Sequence, residues 1–130
     1  MKFKHIEPPR KFEVGLGKSV TMKDCAHIEL VADEQITLFT ESCAEYDITR
    51  KDWGYYATPS LNARLSSFGL RGVLIKSKDS KFYIFLVESG KEESFYEYLN
   101  VEGHTILCWL DTTSALENLE QKLKVVDGGR

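Results

Sequence analysis

The sequence is poor in the residues that staple or metallate small proteins. Of its 130 residues only three are cysteine and three are histidine. Cys25, Cys43 and Cys108 stand far apart and form no Cys-x-x-Cys pair, so the common zinc and thioredoxin-like patterns are missing. There is no His-x-His pair either, and no metal or cofactor is expected. An odd cysteine count without a secretory segment points to free thiols and a cytoplasmic location. Residues 1–10 lack the apolar stretch of a signal peptide. No run of about 18 apolar residues occurs, so no membrane association is expected. A basic stripe is also missing. The 17 basic and 20 acidic side chains are spread along the chain with a net charge of −3, which argues against nucleic acid as a partner. Gly15-Leu16-Gly17-Lys18-Ser19 has neither the spacing of a phosphate-binding loop nor a helix after it.

What is present is an ordinary globular composition, 42% hydrophobic and 28% charged. The length suits one domain that buries a core without disulfide or metal support. Pro8-Pro9 marks residues 1–10 as an extended arm leading into a first strand at Phe12–Leu16, which Gly15 and Gly17 close. From Cys25 to Val31 the residues alternate. Ala26, Ile28 and Leu30 share one face, and Cys25, His27 and Glu29 share the other. Ile36–Thr40 reads as the partner strand of that segment across an Asp33-Glu34 turn. A further short strand is expected at Glu45–Thr49.

Thr58-Pro59 reads as a helix start, with Leu61, Leu65 and Phe68 on one face and Gly69 as the stop. Arg71–Lys76 and Lys81–Glu88 read as a hairpin joined by the polar turn Lys76–Lys81. The second strand is apolar on both faces and is expected at the centre of the sheet. Ser89–Glu92 has capping-box spacing before a helix to about Leu99. His104–Leu110 is a last strand. A terminal helix follows over 113–126, with Leu116, Leu119 and Leu123 in a stripe and a frayed tail at 127–130. The order excludes strict strand–helix alternation. It predicts an α+β fold, a largely antiparallel sheet of about six to eight strands with two or three helices.

The segment richest in chemistry is Trp53–Arg64. Trp53, Tyr55 and Tyr56 offer flat rings with polar tips, Ser60 and Asn62 offer hydrogen bonds, and Arg64 with the later Arg71 offers cations for phosphate or carboxylate. The competing reading of the rings is ordinary packing. Cys25, His27 and Glu29 would suit a metal or proton-transfer site only if their face were enclosed. Otherwise they form the wet face of a sheet. No catalytic residue is assigned, and the reading leans away from an enzyme.

Through Trp53–Asn62, Phe68-Gly69-Leu70-Arg71 and Leu86–Glu92, the chain resembles small bacterial proteins from surface-polysaccharide and sugar-nucleotide gene neighbourhoods. The resemblance covers about residues 10–112 and leaves out the tail after Asp111. It implies sugars or sugar nucleotides as a ligand class and carries no catalytic residue. The leading expectation is therefore a non-catalytic small-ligand binding or accessory domain with its site at Trp53–Arg71. One alternative is a protein-interaction module that self-associates, or docks on a larger enzyme, through the terminal helix. The other is a small isomerase or lyase using His27 and a carboxylate.

Overall fold

Alternating sequence and turn residues account for most of the architecture. The computed structural model describes residues 1–56 and 59–127, with side chains through Lys124. Among these, eight strands and three helices form an α+β fold in three antiparallel sheets. The strands are thus divided among small sheets instead of sharing a single one.

β1 (Lys2–Val14) and β2 (Val20–Glu29) form a two-stranded ribbon whose register runs from Lys2 opposite Glu29 to Val14 opposite Val20. Residues 1–10 are therefore not a free arm, since strand pairing begins at Lys2. Pro8 and Pro9 lie where the register shifts between His5 and Arg10. A residue without an N–H is tolerated at such a bulge. The ribbon is amphipathic. Val20, Met22, Ala26 and Ile28 alternate with Thr21, Lys23, Cys25, His27 and Glu29 along β2, and Phe12 and Val14 of β1 pair with Met22 and Val20.

β3 (Gln35–Phe39), β4 (Glu45–Lys51) and β5 (Gly54–Tyr56) form the second sheet, in that order. The expected pairing of Ile36–Thr40 with the Cys25–Val31 strand does not occur. β2 is already paired with β1, and the chain turns away at Asp33, a left-handed residue (φ 70°) whose N–H donates to the Arg50 carbonyl. That bond commits β3 to β4.

The third sheet has the order β7–β6–β8, from β6 (Leu70–Lys76), β7 (Phe82–Glu88) and β8 (Thr105–Trp109). The strand expected at its centre, β7, is an edge strand; β6 is central. Val73 and Ile75 of β6 are fully buried, whereas Phe82 and Ile84 of β7 are 59% and 61% exposed. Apolar residues on both sides of a strand did not distinguish covering on both sides from one face left open.

α2 (Glu92–Glu102) covers one face of this sheet, packing Phe95 and Leu99 on Val73, Ile75 and Val87. It runs beyond the expected Leu99 to Glu102, where Gly103 ends it in a left-handed conformation (φ 74°). The Ser89–Glu92 capping box does not form. Lys91 is the N-cap residue, and the Glu92 carboxylate instead accepts the Gly90 N–H at 2.7 Å. On the opposite face, Leu65 of the one-turn helix α1 (Arg64–Ser67) packs with Leu70, Ala44 and Tyr46. Thr58, the expected cap of that helix, lies outside the described residues. Ser60 Oγ accepts the Arg64 N–H at 2.8 Å in its place. α3 (Thr113–Asp127) is the terminal helix, and Thr112 Oγ1 accepts the Ala115 N–H at 3.2 Å at its start. No helix among the described residues is long and apolar enough to cross a membrane.

Candidate functional site

The ribbon does not stand free of the body. At its turn the N–H groups of Leu16, Gly17 and Lys18 all donate to the Glu102 carboxylate, at 2.8, 2.5 and 3.0 Å. Successive backbone donors of this kind form an anion cradle, here filled by the protein's own acid. Glycine is required at position 17, because a Cβ there would lie 1.8 Å from the Val101 carbonyl oxygen. Glu102 is 5% exposed. The N–H groups of Leu16 and Gly17, more than any other cause, hold its carboxyl below the ordinary glutamate range.

Docked at this point, the ribbon overhangs α2 and β7 and leaves a cavity of about 690 Å³. That size lies within the range of small-molecule sites, roughly 300–1,000 Å³. One wall is the apolar face of the ribbon, with Val14, Leu16, Val20 and Met22. The opposite wall comes from α2, which presents Ser94, Glu97, Tyr98 and Val101 at helical spacings of three, four and seven residues. These lie beside the stripe of Phe95 and Leu99 that faces the core.

The floor is aromatic. Tyr83 and Phe85 of β7 stack with centroids 5.9 Å apart, Tyr98 meets Phe85 edge-on at 5.9 Å, and His104 meets Tyr98 at 5.6 Å. Burial, then the charge of Glu102, pushes the Tyr98 phenol above its ordinary value. His104 Nδ1 is buried without a hydrogen-bond partner among the described residues. Asp79 and Lys81, 3.5 Å apart, complete the polar rim together with Lys18.

The residues expected to form a site are elsewhere and do not converge. Trp53, Tyr55 and Tyr56 project from the β4–β5 hairpin, 68%, 59% and 52% exposed, and neither this cavity nor a shallower hollow of about 230 Å³ is lined by them. The Arg50 guanidinium lies over the Tyr55 ring at 5.9 Å. Asn62 donates to Thr113 Oγ1 at 3.1 Å, tying the α1 approach to α3. Arg64 pairs with Asp47 at 3.1 Å and lies over Phe68. Arg71 is held by Asp111 at 2.6 Å and Glu92 at 3.1 Å, with its guanidinium 4.0 Å from the Trp109 ring centroid. It ties β6 to the α2 and α3 approaches.

The Cys25–His27–Glu29 face is open. The His27 side chain is 63% exposed with Nε2 2.9 Å from Asp24, and Cys25 Sγ contacts the Lys23 carbonyl. His27 and Glu29 border the shallow hollow near the base of the ribbon. Nothing there shields an imidazole for proton transfer.

Tyr83, Phe85, Tyr98, Glu102 and His104 were missed as site residues in the sequence reading. Two signals pointed toward them: the Gly-x-Gly turn between strands, set aside as a failed phosphate loop, and a glutamate immediately before a helix-ending glycine. Compared with protein-family models, curated proteins and solved structures, the chain matches none.

Proposed function

We propose that the chain is a non-catalytic binding domain for a small hydroxylated ligand, of the sugar or sugar-nucleotide class, held between the ribbon and α2. The observation that carries this is the cavity itself: an aromatic floor, an apolar roof and a rim of hydrogen-bonding groups. Half-exposed rings such as Tyr83 and Tyr98 suit the apolar face of a sugar, and Ser94, Glu97 and Lys81 suit its hydroxyls. Binding is favoured over turnover because the most buried of the cavity's acids, Glu102, is already engaged by three backbone N–H groups. Isothermal titration against a panel of sugars and sugar nucleotides tests the reading. Tyr98→Ala weakens every detected affinity by about tenfold or more, as lost ring contact should, and Trp53→Ala changes none. The reverse pattern would move the site back to the β4–β5 hairpin.

A second reading, self-association, is favoured by surface that the fold leaves uncovered. A compact monomer of 14.9 kDa exposes about 7,000 Å², whereas this chain exposes 9288 Å². The excess is larger than the roughly 800 Å² that each partner loses in a standard interface. Leu123, at the outer end of the α3 stripe, is 53% exposed. Light scattering of the full chain would give twice 14.9 kDa, and Leu123→Lys would return the monomer mass. A monomer at every concentration removes this reading.

A further inference from the structure

The charges around the cavity narrow the ligand further, in an inference that rests on the binding reading above. Three acids, Asp79, Glu97 and Glu102, line it together with three basic side chains, Lys18, Lys81 and His104. Lys81 lies 3.5 Å from Asp79, so that pair largely cancels. Glu97 has no hydrogen-bond or ion-pair partner among the described residues. α2 also ends at this cavity, and a helix C-terminus carries about half a negative charge. No basic residue in the last turn of α2 offsets it. The Leu16–Lys18 N–H groups that bond Glu102 compensate this end, so the Glu97 carboxylate, earlier on the helix and without a partner among the described residues, is the group that would draw a cation. The ring faces beside it act in the same direction, because an aromatic face attracts an ammonium.

We propose that the cavity selects a hydroxylated ligand bearing a protonated amine, such as an amino sugar, with the ammonium between the Glu97 carboxylate and the Tyr98 ring. Glu97 and Tyr98 are consecutive on α2 and both line the cavity, as does Ser94, one turn earlier, which is placed to bond a hydroxyl. A free amine and its acetylated form then differ in affinity, since acetylation removes the charge and leaves the ring.

The test is calorimetric titration of the full chain with D-glucosamine, N-acetyl-D-glucosamine and D-glucose 1-phosphate, at a pH where the amine is charged. Glucosamine is expected to bind about tenfold tighter than its acetylated form, with the phosphate weakest. Glu97→Gln is expected to abolish that ratio, because it weakens glucosamine about tenfold more than the acetylated sugar. Equal or tighter binding of the acetylated sugar or the phosphate overturns the amine preference and leaves the cavity reading standing, provided Tyr98→Ala still weakens it. A ratio that survives Glu97→Gln also overturns the assignment. If none of the three compounds binds, the amine preference falls, and the cavity reading is decided by the wider panel of sugars and sugar nucleotides.

Discussion

The Glu102 carboxylate lies 2.5 Å from the backbone nitrogen of Gly17, 85 residues away in sequence. This contact and its two neighbours join the ribbon to α2 and so create the cavity. Glu102→Gln keeps the shape but loses the charge that strengthens all three bonds. It is expected to lower the melting temperature by roughly 5 °C and to speed hydrogen exchange at Leu16, Gly17 and Lys18. Unchanged exchange at those amides would mean that the ribbon is held by other contacts. Gly17→Ala is expected to act in the same direction, because its Cβ has no room beside Val101.

The same contact carries a pH dependence. The folded-state value for Glu102 is lowered from the ordinary 4.5. The stabilisation is therefore complete above 4.5 and is lost as pH falls through the folded value. Amide protection at the ribbon turn should be flat at neutral pH and collapse in acid. In Glu102→Gln the acid-dependent step should be absent at these amides.

Arg71 provides a test that separates structure from binding. Its guanidinium is shared between Asp111 and Glu92, so Arg71→Met leaves two acids without their cation. The expected cost is about 2 kcal/mol in urea unfolding, with ligand affinity unchanged. A loss of affinity at constant stability would restore Arg71 to the binding site.

Core substitutions should follow burial rather than hydrophobicity. Leu65 is fully buried between α1 and the third sheet, and Leu65→Ala is expected to cost about 3 kcal/mol. Ile84→Ala, on the open face of the edge strand, is expected to cost less than about 0.5 kcal/mol. A large cost at Ile84 would show that this face is covered, consistent with self-association.

Local signals in the sequence were enough to place most elements. Alternation located β2, β3, β6 and β7, Gly69 marked the end of α1, and the Leu116–Leu123 spacing marked α3. The α+β class follows from the order of those signals. What depended on contacts between distant residues was not legible. The partner of β3 is decided by the Asp33–Arg50 bond, and whether β7 is central or at an edge depends on β8, which follows only after α2. The candidate site illustrates the same limit. Trp53, Tyr55 and Tyr56 cluster in sequence but spread over an exposed hairpin, whereas Tyr83, Tyr98 and His104 are separated in sequence and meet through packing.

The central claim is that ligand enters beneath the ribbon, and amide chemical-shift mapping during titration with D-glucosamine tests it most directly. The account predicts shifts concentrated at Val14–Met22, Tyr83, Glu97, Tyr98 and His104, with Trp53–Tyr56 unmoved. Shifts confined to Trp53–Tyr56, or a saturable interaction that leaves the ribbon turn and α2 unperturbed, would contradict it.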